Sequence, residues 1–316
     1  MIVVCGEALI DMIQNGGETQ RSAPGGGPFN TARALARLGV PTSFLGRLSD
    51  DIYGRQLAAL LISDGVSLDY TSVGPEPTTT AYARKNSDGL VEYQFHIEGT
   101  SAPHLTPEML PVQLGHEIDA IHVGTLGLLL EPMASTLEGL VFRDGGGRLV
   151  MLDPNIRPGL APGAAYRERL NGLIGLSTIV KGSDEDLAWL YPGLGYEQAA
   201  EEVCAAGPAM TVVTLGARGA FGLHRGIRVH VESPPVRVVD TIGAGDAFGA
   251  ALLAWLYHHA EIRPDLYLAE AGLRAALEFA CIAASITSAR AGADPPWNRE
   301  MPEAVRFRKP DSSSWS

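Results

Sequence analysis

Short apolar runs alternate with stretches of helical spacing along most of this chain, and this alternation limits the fold more than any other feature. Each run has the length and composition of a buried strand, and the stretches between them repeat apolar residues every three or four positions. Strands that alternate with helices join through right-handed crossovers into a mainly parallel sheet. The sequence therefore predicts an α/β fold with strands at residues 2–4 (continued by 8–10), 42–45, 120–123, 148–152, 178–181 and 211–215, and helices at residues 29–38, 52–63, 133–144, 166–174 and 197–206.

A hairpin pattern interrupts the alternation. β-branched and aromatic residues at 78–84 and 90–97 flank an Asn-Ser-Asp-Gly turn at residues 86–89, which is typical of a β-hairpin. We expect a small antiparallel sheet outside the main one, with residues 11–24 supplying its other strands. Further along, the sequence predicts a second hairpin at residues 220–231, long apolar helices at about 244–258 and 266–289, and a loose tail at 309–316.

Composition and charge exclude several classes of protein. With 316 residues, 46% hydrophobic and 19% charged, the chain can bury a sizeable core and fits one large domain. A net charge of −12 without a dense Lys/Arg run disfavours nucleic-acid binding. No basic region precedes the first apolar run and no uninterrupted apolar stretch reaches membrane-spanning length, so we expect a cytoplasmic protein without a membrane partner. The widely spaced Cys5, Cys204 and Cys281 predict reduced thiols rather than disulfides or a zinc site.

The most informative stretch for chemistry is Asp-Thr-Ile-Gly-Ala-Gly-Asp-Ala-Phe at residues 240–248. Gly243 and Gly245 predict a loop that opens into an Ala-rich helix, and backbone N–H groups at a helix start can bind an anion. Asp246 would lie just inside that positive helix end, where a carboxylate is ionised and able to accept a hydroxyl proton. On these residues alone, a glycine loop with Asp246 as a helix cap explains the pattern equally well.

This stretch resembles the C-terminal motif of the ribokinase-like (PfkB-type) sugar kinases. Residues 25–32, Gly-Gly-Gly-Pro-Phe-Asn-Thr-Ala, resemble the N-terminal motif of that family, and residues 46–54 resemble its adjoining glycine-rich stretch, with Ser49 at the third glycine position. The similarity keeps its order from Val3 to about Pro296. It implies one ribokinase-like domain over residues 1–316, a three-layer α/β/α fold with a mostly parallel central sheet, and a small β-sheet lid from residues 11–24 and 78–100.

The resemblance also implies roles for individual residues. Asp246 would take the proton of the acceptor hydroxyl, and Gly243, Ala244 and Gly245 would present N–H groups to the transferred phosphoryl. The residues that match sugar ligands of the family are Asp11, Gly26, Gly27 and Asn30. Without the resemblance, Asp11 would be interpreted as an exposed strand end and Asn30 as a polar residue at a helix start.

Three further stretches match nucleotide and metal contacts of the family. Residues 181–187 fall at its Asn-x-x-Glu motif, which is linked to magnesium and phosphate, and here the matching residues are Ser183 and Asp186. A capped helix start with acidic first-turn residues is the alternative. ATP contacts are implied for Lys181, Ser183, Thr214, Gly216, Gly219, Gly243 and Gly245. In many members the segment matching residues 285–292, together with the residues matching Asp240 and Ile242, holds a potassium ion, so ATP, Mg²⁺ and K⁺ are the expected cofactors.

The substrate is the least determined part of the prediction. Residues 6–11 and 153–157 resemble fructokinase-like members, so fructose is favoured, and Arg157 would contact a phosphate or a substrate carboxylate. A surface arginine in a turn is the alternative for Arg157. Ribose and 2-keto-3-deoxygluconate remain open, as does a catalytically silent sugar-binding paralogue, against which the intact Asp246 motif argues. An exposed lid sheet predicts pairing across a homodimer.

Overall fold

The computed structural model describes residues 1–14, 20–85, 91–160 and 163–307. Within them lie the strands β1 (Ile2–Cys5), β2 (Leu9–Gln14), β3 (Gln20–Gly25), β4 (Thr42–Leu45), β5 (Arg47–Ser49), β6 (Ser72–Gly74), β7 (Thr80–Lys85), β8 (Val91–His96), β9 (Ala120–Gly124), β10 (Leu149–Asp153), β11 (Ile179–Ser183), β12 (Met210–Thr214), β13 (Ala220–His224) and β14 (Ile227–Val231). The helices are α1 (Gly27–Arg37), α2 (Ile52–Asp64), α3 (Met133–Asp144), α4 (Ala164–Leu176), α5 (Asp184–Leu190), α6 (Tyr196–Ala205), α7 (Ala244–His258) and α8 (Glu270–Ser288).

The main sheet has eight strands in the order β14-β13-β12-β11-β10-β9-β1-β4. Strands β4, β1 and β9 to β12 run parallel, whereas β13 and β14 form an antiparallel hairpin at one edge. Parallel strands are covered on both faces, which is why β1, β4, β9 and β10 are buried along their whole length. The predicted mostly parallel sheet is confirmed.

Helices cover both faces of this sheet. On one face, Ile2 and Val4 of β1 share a core with α1, α7 and α8. On the other face, Val3 and Cys5 pack with apolar residues of α3 and α4. Successive residues of one strand thus enter opposite cores, as the alternating pleat requires. This arrangement is the three-layer α/β/α architecture that the resemblance implied.

The first predicted strand was wrong in one respect. Residues 2–4 and 8–10 do not form one continuous strand, because the chain turns at Gly6, whose φ is +143°. A Cβ at this position would also lie 2.5 Å from Cγ of Pro28. The break places β1 in the main sheet and sends β2 into the smaller one.

The smaller sheet has the strand order β3-β2-β7-β8, in which β2 pairs parallel with β7 and the other pairs are antiparallel. Its strands come from both predicted segments, but the prediction of an antiparallel sheet was wrong for one pair, since β2 and β7 run parallel. The predicted turn at residues 86–89 and the tail at 309–316 lie outside the described residues. At the base of this sheet, Asp51 caps α2 and also accepts hydrogen bonds from Thr78 N–H at 2.8 Å and from its hydroxyl at 2.7 Å.

Helix α8 is long and apolar enough to span a membrane by length and composition alone. Its apolar residues, including Leu273, Leu277 and Phe279, instead belong to the buried core that α7 shares. Half of its 18-residue apolar window is buried inside the protein.

Candidate active site

The loop before α7 gathers the residues of the predicted anion site. Gly243 caps the helix with φ +76°, and a Cβ there would lie 2.5 Å from Cβ of Ala293, so only glycine fits both the conformation and the space. The first N–H groups of a helix have no partner within it and point toward an approaching anion. The Ala244 N–H donates to the Thr241 carbonyl at 3.2 Å, which leaves the next amides of the turn as the freer donors.

Asp246 lies in the first turn of α7 and is 8% exposed. Its Oδ2 accepts a hydrogen bond of 2.8 Å from Nδ2 of Asn30, which stands on α1. Burial raises the pKa of Asp246, while the Asn30 bond and the positive charges of Lys181 and Arg157 act in the opposite direction. The structure therefore brings together the predicted base and one predicted sugar ligand from opposite halves of the chain.

The oxygen of the Asn30 amide is available to a ligand. Asn30 Oδ1 is buried and has no hydrogen-bond partner within the described part of the chain. A buried acceptor without a partner costs free energy unless a ligand or water satisfies it. A hydroxyl that donated to Asn30 Oδ1 would lie within reach of Asp246.

Asp11, on β2, is the second carboxylate of this region. Burial and the neighbouring charges of Asp246 and Asp240 raise its pKa to about 6, and Arg157 opposes the shift. Gly25 on the paired strand leaves space for this side chain, because a Cβ there would lie 2.2 Å from Asp11 Oδ2. The effect of Asp246 on the pKa of Asp11 shows that the two carboxylates are close enough to interact.

Gly26 and Gly27 lead into α1. Gly26 has φ +105°, and a Cβ on it would lie 2.8 Å from the Glu7 carbonyl oxygen. A Cβ on Gly27 would lie 2.5 Å from Cγ2 of Thr125. Close packing of backbone at this point brings the start of α1, and with it Asn30, against the carboxyl ends of β1 and β9.

Arg157 follows β10 and is exposed. Its Nη1 donates to Oδ1 of Asn155 at 2.7 Å, and Asn155 itself has φ +39°. Its charge acts on the pKa of both Asp11 and Asp246. Among the described residues Arg157 forms no salt bridge, so this exposed cation at the rim of the site could meet an anionic group.

Ser183 and Asp186 form a capping box at the start of α5. Asp186 Oδ2 accepts from the Ser183 N–H at 2.8 Å and from its hydroxyl at 2.7 Å, and Oδ1 accepts from the Ile156 N–H at 2.7 Å. Both oxygens thus hold protein donors, as in the alternative interpretation of this stretch. Asp186 also fixes the loop after β10 that carries Arg157.

Lys181 is not displayed at the surface. Its Nζ donates to Oδ2 of Asp153 at 2.6 Å, and both side chains are about 5% exposed or less. Asp153 was not among the predicted site residues, although an aspartate that ends an apolar strand before Pro-Asn was a usable signal. Its partner could not be found in the sequence, because the pairing depends on the alignment of β10 with β11.

Glu7 was also absent from the predicted site residues. This carboxylate is 1% exposed, accepts from the Gly27 N–H at 3.1 Å and the Thr125 hydroxyl at 2.5 Å on Oε1, and accepts from the Gly127 N–H at 2.9 Å on Oε2. Burial raises its pKa to about 7 despite these donors. An acidic residue two positions after a buried strand was the available signal. Its three contacts tie the start of α1 to the segment after β9.

The predicted nucleotide contacts lie at the end of β12. The Thr214 hydroxyl donates to the Gly182 carbonyl at 3.4 Å. A Cβ on Gly219 would lie 2.0 Å from the Val231 carbonyl oxygen, so this glycine is required by the turn into β13. Gly216, with φ +58°, borders open space and leaves its backbone accessible to a ligand.

Asp240 connects the loop before α7 to the segment after α8. Its Oδ1 accepts from the Ile242 N–H and its Oδ2 from the Gly292 N–H, both at 3.0 Å. The Asp240 N–H donates to the Ser288 carbonyl at 3.2 Å. The two stretches associated with potassium in the resemblance are therefore adjacent.

No group of three or more His, Cys, Asp or Glu side chains that could hold a metal occurs in the described ranges. Mg²⁺ in phosphoryl-transfer sites is commonly bound by one or two carboxylates together with waters and substrate phosphates. A site without a dense ligand cluster fits that mode of binding better than a dedicated protein cage.

Residues 1–300 match the model of the pfkB family carbohydrate kinases. The fold, the helix-start anion site and its neighbouring carboxylate agree with that match, and the chain belongs to this family. Family membership and the similarity to named sugar kinases make it an ATP-dependent sugar kinase.

Among known proteins, the chain is similar to the fructokinase of Rhizobium leguminosarum bv. trifolii, at 39% identity over 81% of this chain and 79% of that protein. Its structure is similar to that of fructokinase from Vibrio cholerae O395 bound to fructose, ADP and calcium ion, with a TM-score of 0.80 and 26% identity over 92% and 94% of the two chains. Aminoimidazole riboside kinase from Salmonella enterica, complexed with aminoimidazole riboside and an ATP analog, gives a TM-score of 0.79 and 26% identity over 92% and 94%. The predicted ribokinase-like fold is confirmed.

Proposed function

We propose that this protein is a fructokinase that transfers the γ-phosphoryl group of ATP to fructose and forms fructose 6-phosphate. The observation that carries the proposal is the Asn30–Asp246 pair at the start of α7, with a buried carboxylate and an unpaired amide oxygen side by side. A sugar hydroxyl that donates to Asn30 Oδ1 would hold the sugar beside Asp246, and the neighbouring acceptor hydroxyl would donate its proton to that carboxylate. Relatives named fructokinase support fructose as the sugar.

Asp246 acts as the base. The sugar hydroxyl oxygen forms a bond to the γ-phosphorus, the bond from that phosphorus to the ADP oxygen breaks, and the hydroxyl proton passes to Asp246. Because burial raises the pKa of Asp246, its carboxylate holds a proton more readily than an exposed aspartate would. The N–H groups of Gly243, Ala244 and Gly245 are assigned to the charge that develops on the transferred group. The Ala244 N–H would first have to leave its 3.2 Å hydrogen bond to the Thr241 carbonyl.

Sugar binding is assigned to Asp11, Gly26, Gly27 and Asn30. A half-buried carboxylate can accept two hydroxyls, and the glycines let the sugar approach the backbone. Arg157 neutralises the phosphate or a carboxylate at the rim. The small sheet formed by β2, β3, β7 and β8 serves as a lid that limits access of water to the phosphoryl group.

The nucleotide lies along the carboxyl ends of the strands, near Lys181, Ser183, Thr214, Gly216 and Gly219. Bound Mg²⁺ neutralises charge on the ATP phosphates, and Asp186 would reach it through water, because both its oxygens already accept protein hydrogen bonds. Potassium would stabilise the loop of Asp240 and Ile242 against the segment after α8. Kinase structures with bound ATP and metal ions among the similar proteins support this assignment of ligands.

We also propose that the enzyme acts in the cytoplasm, pairs as a homodimer through the lid sheet, and has no nucleic-acid or membrane partner. The three cysteines are unpaired, and Cys5 and Cys281 are buried, as suits a reducing compartment.

An ADP-release screen over fructose, ribose, 2-keto-3-deoxygluconate and a nucleoside such as aminoimidazole riboside tests the function. We expect the highest kcat/KM with fructose. Asp246→Asn should lower kcat by about a hundredfold to ten-thousandfold while the Kd for fructose stays near that of the wild type. Asp184→Asn, which changes a first-turn aspartate of α5, is the matched control and should leave kcat unchanged.

Preference for another sugar would refute the assignment of fructose. Binding of fructose and ATP without ADP release would support a silent paralogue, and full activity of Asp246→Asn would refute the mechanism.

A further inference from the structure

A buried lysine runs along the first two turns of α7. Gly245 and Gly249 are four residues apart and share one face of the helix. A Cβ on Gly249 would lie 3.7 Å from Cδ of Lys181, and a Cβ on Gly245 would lie 3.4 Å from its Nζ. The two glycines therefore form a channel that holds the lysine stem and delivers its ammonium group to the start of the helix.

This position is electrostatically unfavourable for a cation. The amino end of a helix carries partial positive charge and repels a neighbouring ammonium, and burial removes the ammonium from water. Asp153, at 2.6 Å, compensates on one side, but its other oxygen is buried and has no hydrogen-bond partner within the described residues. A buried ion pair is seldom required for stability, since apolar residues of similar volume often replace one without loss. A pair at this site calls for a functional explanation.

We propose that Lys181 is a positioning residue for phosphoryl transfer, and that its ammonium, held by Asp153 beneath Gly245, keeps Asp246 ionised and adds positive potential where the charge of the transferred phosphoryl develops. The proposal rests on the function proposed above. It differs from direct nucleotide contact, because the lysine side chain is only 5% exposed and its ammonium already binds Asp153.

The charges around Lys181 support this role. Burial disfavours the ammonium, but Asp153, Asp246 and Asp186 together raise the pKa of Lys181 above its usual value, so it is charged. On β9, His122 is buried and the nearby lysine also lowers its pKa, to about 3, so the imidazole is neutral and does not compete. Lys181 is thus a fixed positive charge within a set of carboxylates.

The groups that act on Asp246 come from several elements. Asn30 on α1 donates to its carboxylate, and positive charge reaches it from Lys181 on β11 and from Arg157 in the loop after β10. The negative charge of Asp246 raises the pKa of Asp153 on β10 and of Asp11 on β2, and repulsion between two like charges acts on both partners. Removal of one of the positive side chains should therefore raise the proton affinity of Asp246, and removal of one of the negative side chains should lower it.

The test is the single-turnover rate of fructose phosphorylation as a function of pH. ATP and fructose are saturating, so that Asp11 is bound to the sugar throughout the pH range. Lys181→Met should slow the step about tenfold to a hundredfold and move the acid limb of the profile upward by about one pH unit. Asp153→Asn should move the same limb downward. Acid limbs that shift in the same direction, or that do not shift, would overturn the proposal.

Two variants separate this role from a structural one. The double variant Lys181→Met/Asp153→Leu removes both charges, so it should unfold at a temperature closer to that of the wild type than Lys181→Met does. It should nevertheless stay slower than the wild type, because the positive charge beneath Gly245 is still absent. Recovery of the rate along with stability would overturn the proposal. Asp144→Asn removes a buried carboxylate salt-bridged to Arg143 and should lower stability without a shift of the acid limb.

Wild-type enzyme assayed in parallel separates the two proposals. If it phosphorylates another sugar instead of fructose, only the substrate assignment fails, and the pH comparison is repeated with that sugar. If the wild type is active and the variants keep its rate and profile, only the role of Lys181 fails.

Discussion

Replacement of Glu7 by glutamine tests how one buried carboxylate organises the sugar side of the site. Glu7 accepts hydrogen bonds from the Gly27 N–H, the Thr125 hydroxyl and the Gly127 N–H. Glutamine has the same shape as protonated glutamate but never ionises. The variant therefore removes the charge without changing the volume of the side chain.

The expected effect on stability follows from the pKa. Burial raises the pKa of folded Glu7 from its usual 4.5 to about 7, so the folded protein holds this proton more tightly than the unfolded chain does. Glu7 makes its full contribution to the free energy of unfolding below pH 4.5, and this contribution is lost as the pH rises through 7. Between pH 5 and 8.5 the loss amounts to about 2–3 kcal/mol, and glutamine does not undergo it.

Urea denaturation at pH 5 and pH 8.5 checks this. The free energies of unfolding of Glu7→Gln and wild type should lie within about 1 kcal/mol of each other at pH 5, and the variant should be more stable by about 2–3 kcal/mol at pH 8.5. The KM for fructose should rise, because an amide N–H₂ meets one of the donors that position α1; such a trade of function for stability is common. Glu201→Gln, at an exposed site on α6, is the control. A stability difference that does not change with pH would refute the reasoning.

Three other predictions concern the site directly. Gly243→Ala should cost about 1–3 kcal/mol of stability and lower kcat about a hundredfold, because the new methyl group would lie 2.5 Å from Cβ of Ala293; Gly139→Ala, which meets no atom within 4 Å, should do neither. Burial raises the pKa of Asp11 to about 6, so the KM for fructose should rise about tenfold from pH 7 to pH 5 as the carboxylate is protonated, and a flat profile would contradict its role as a hydroxyl acceptor. Arg157→Ala should impair turnover of 2-keto-3-deoxygluconate more than that of fructose, and equal losses in kcat/KM would assign Arg157 to phosphate or to structure.

Local signals in the sequence were sufficient to predict much of the fold. Helix α2 was predicted at residues 52–63 and observed at Ile52–Asp64, because both of its ends are marked. Asp51 caps the first turn, and Gly65 ends the helix with φ +93°. Helix α7 was predicted at about residues 244–258, which matches its observed extent, since the glycines before it and the apolar run after it are contiguous in the chain.

The break at Gly6 shows what local signals could not supply. Two apolar runs separated by Gly6 and Glu7 are compatible with one strand or with two, and the choice depends on Pro28, whose Cγ would lie 2.5 Å from a Cβ at Gly6. The same limit applies to Glu7, whose partners Gly27 and Gly127 are 20 and 120 residues away. Side chains that bind across strands depend on the sheet order, which the alternation of elements does not determine.

The charges of the site explain why an acidic chain can process an anionic substrate. Asp11, Asp246 and Asp153 would repel ATP if they acted alone. Arg157 at the rim and Lys181 beneath the helix start counter them, and a buried charge is screened by salt much less than an exposed one. Local fields of this kind outweigh the net charge of −12. An increase in ionic strength should therefore weaken the contribution of exposed Arg157 more than that of buried Lys181.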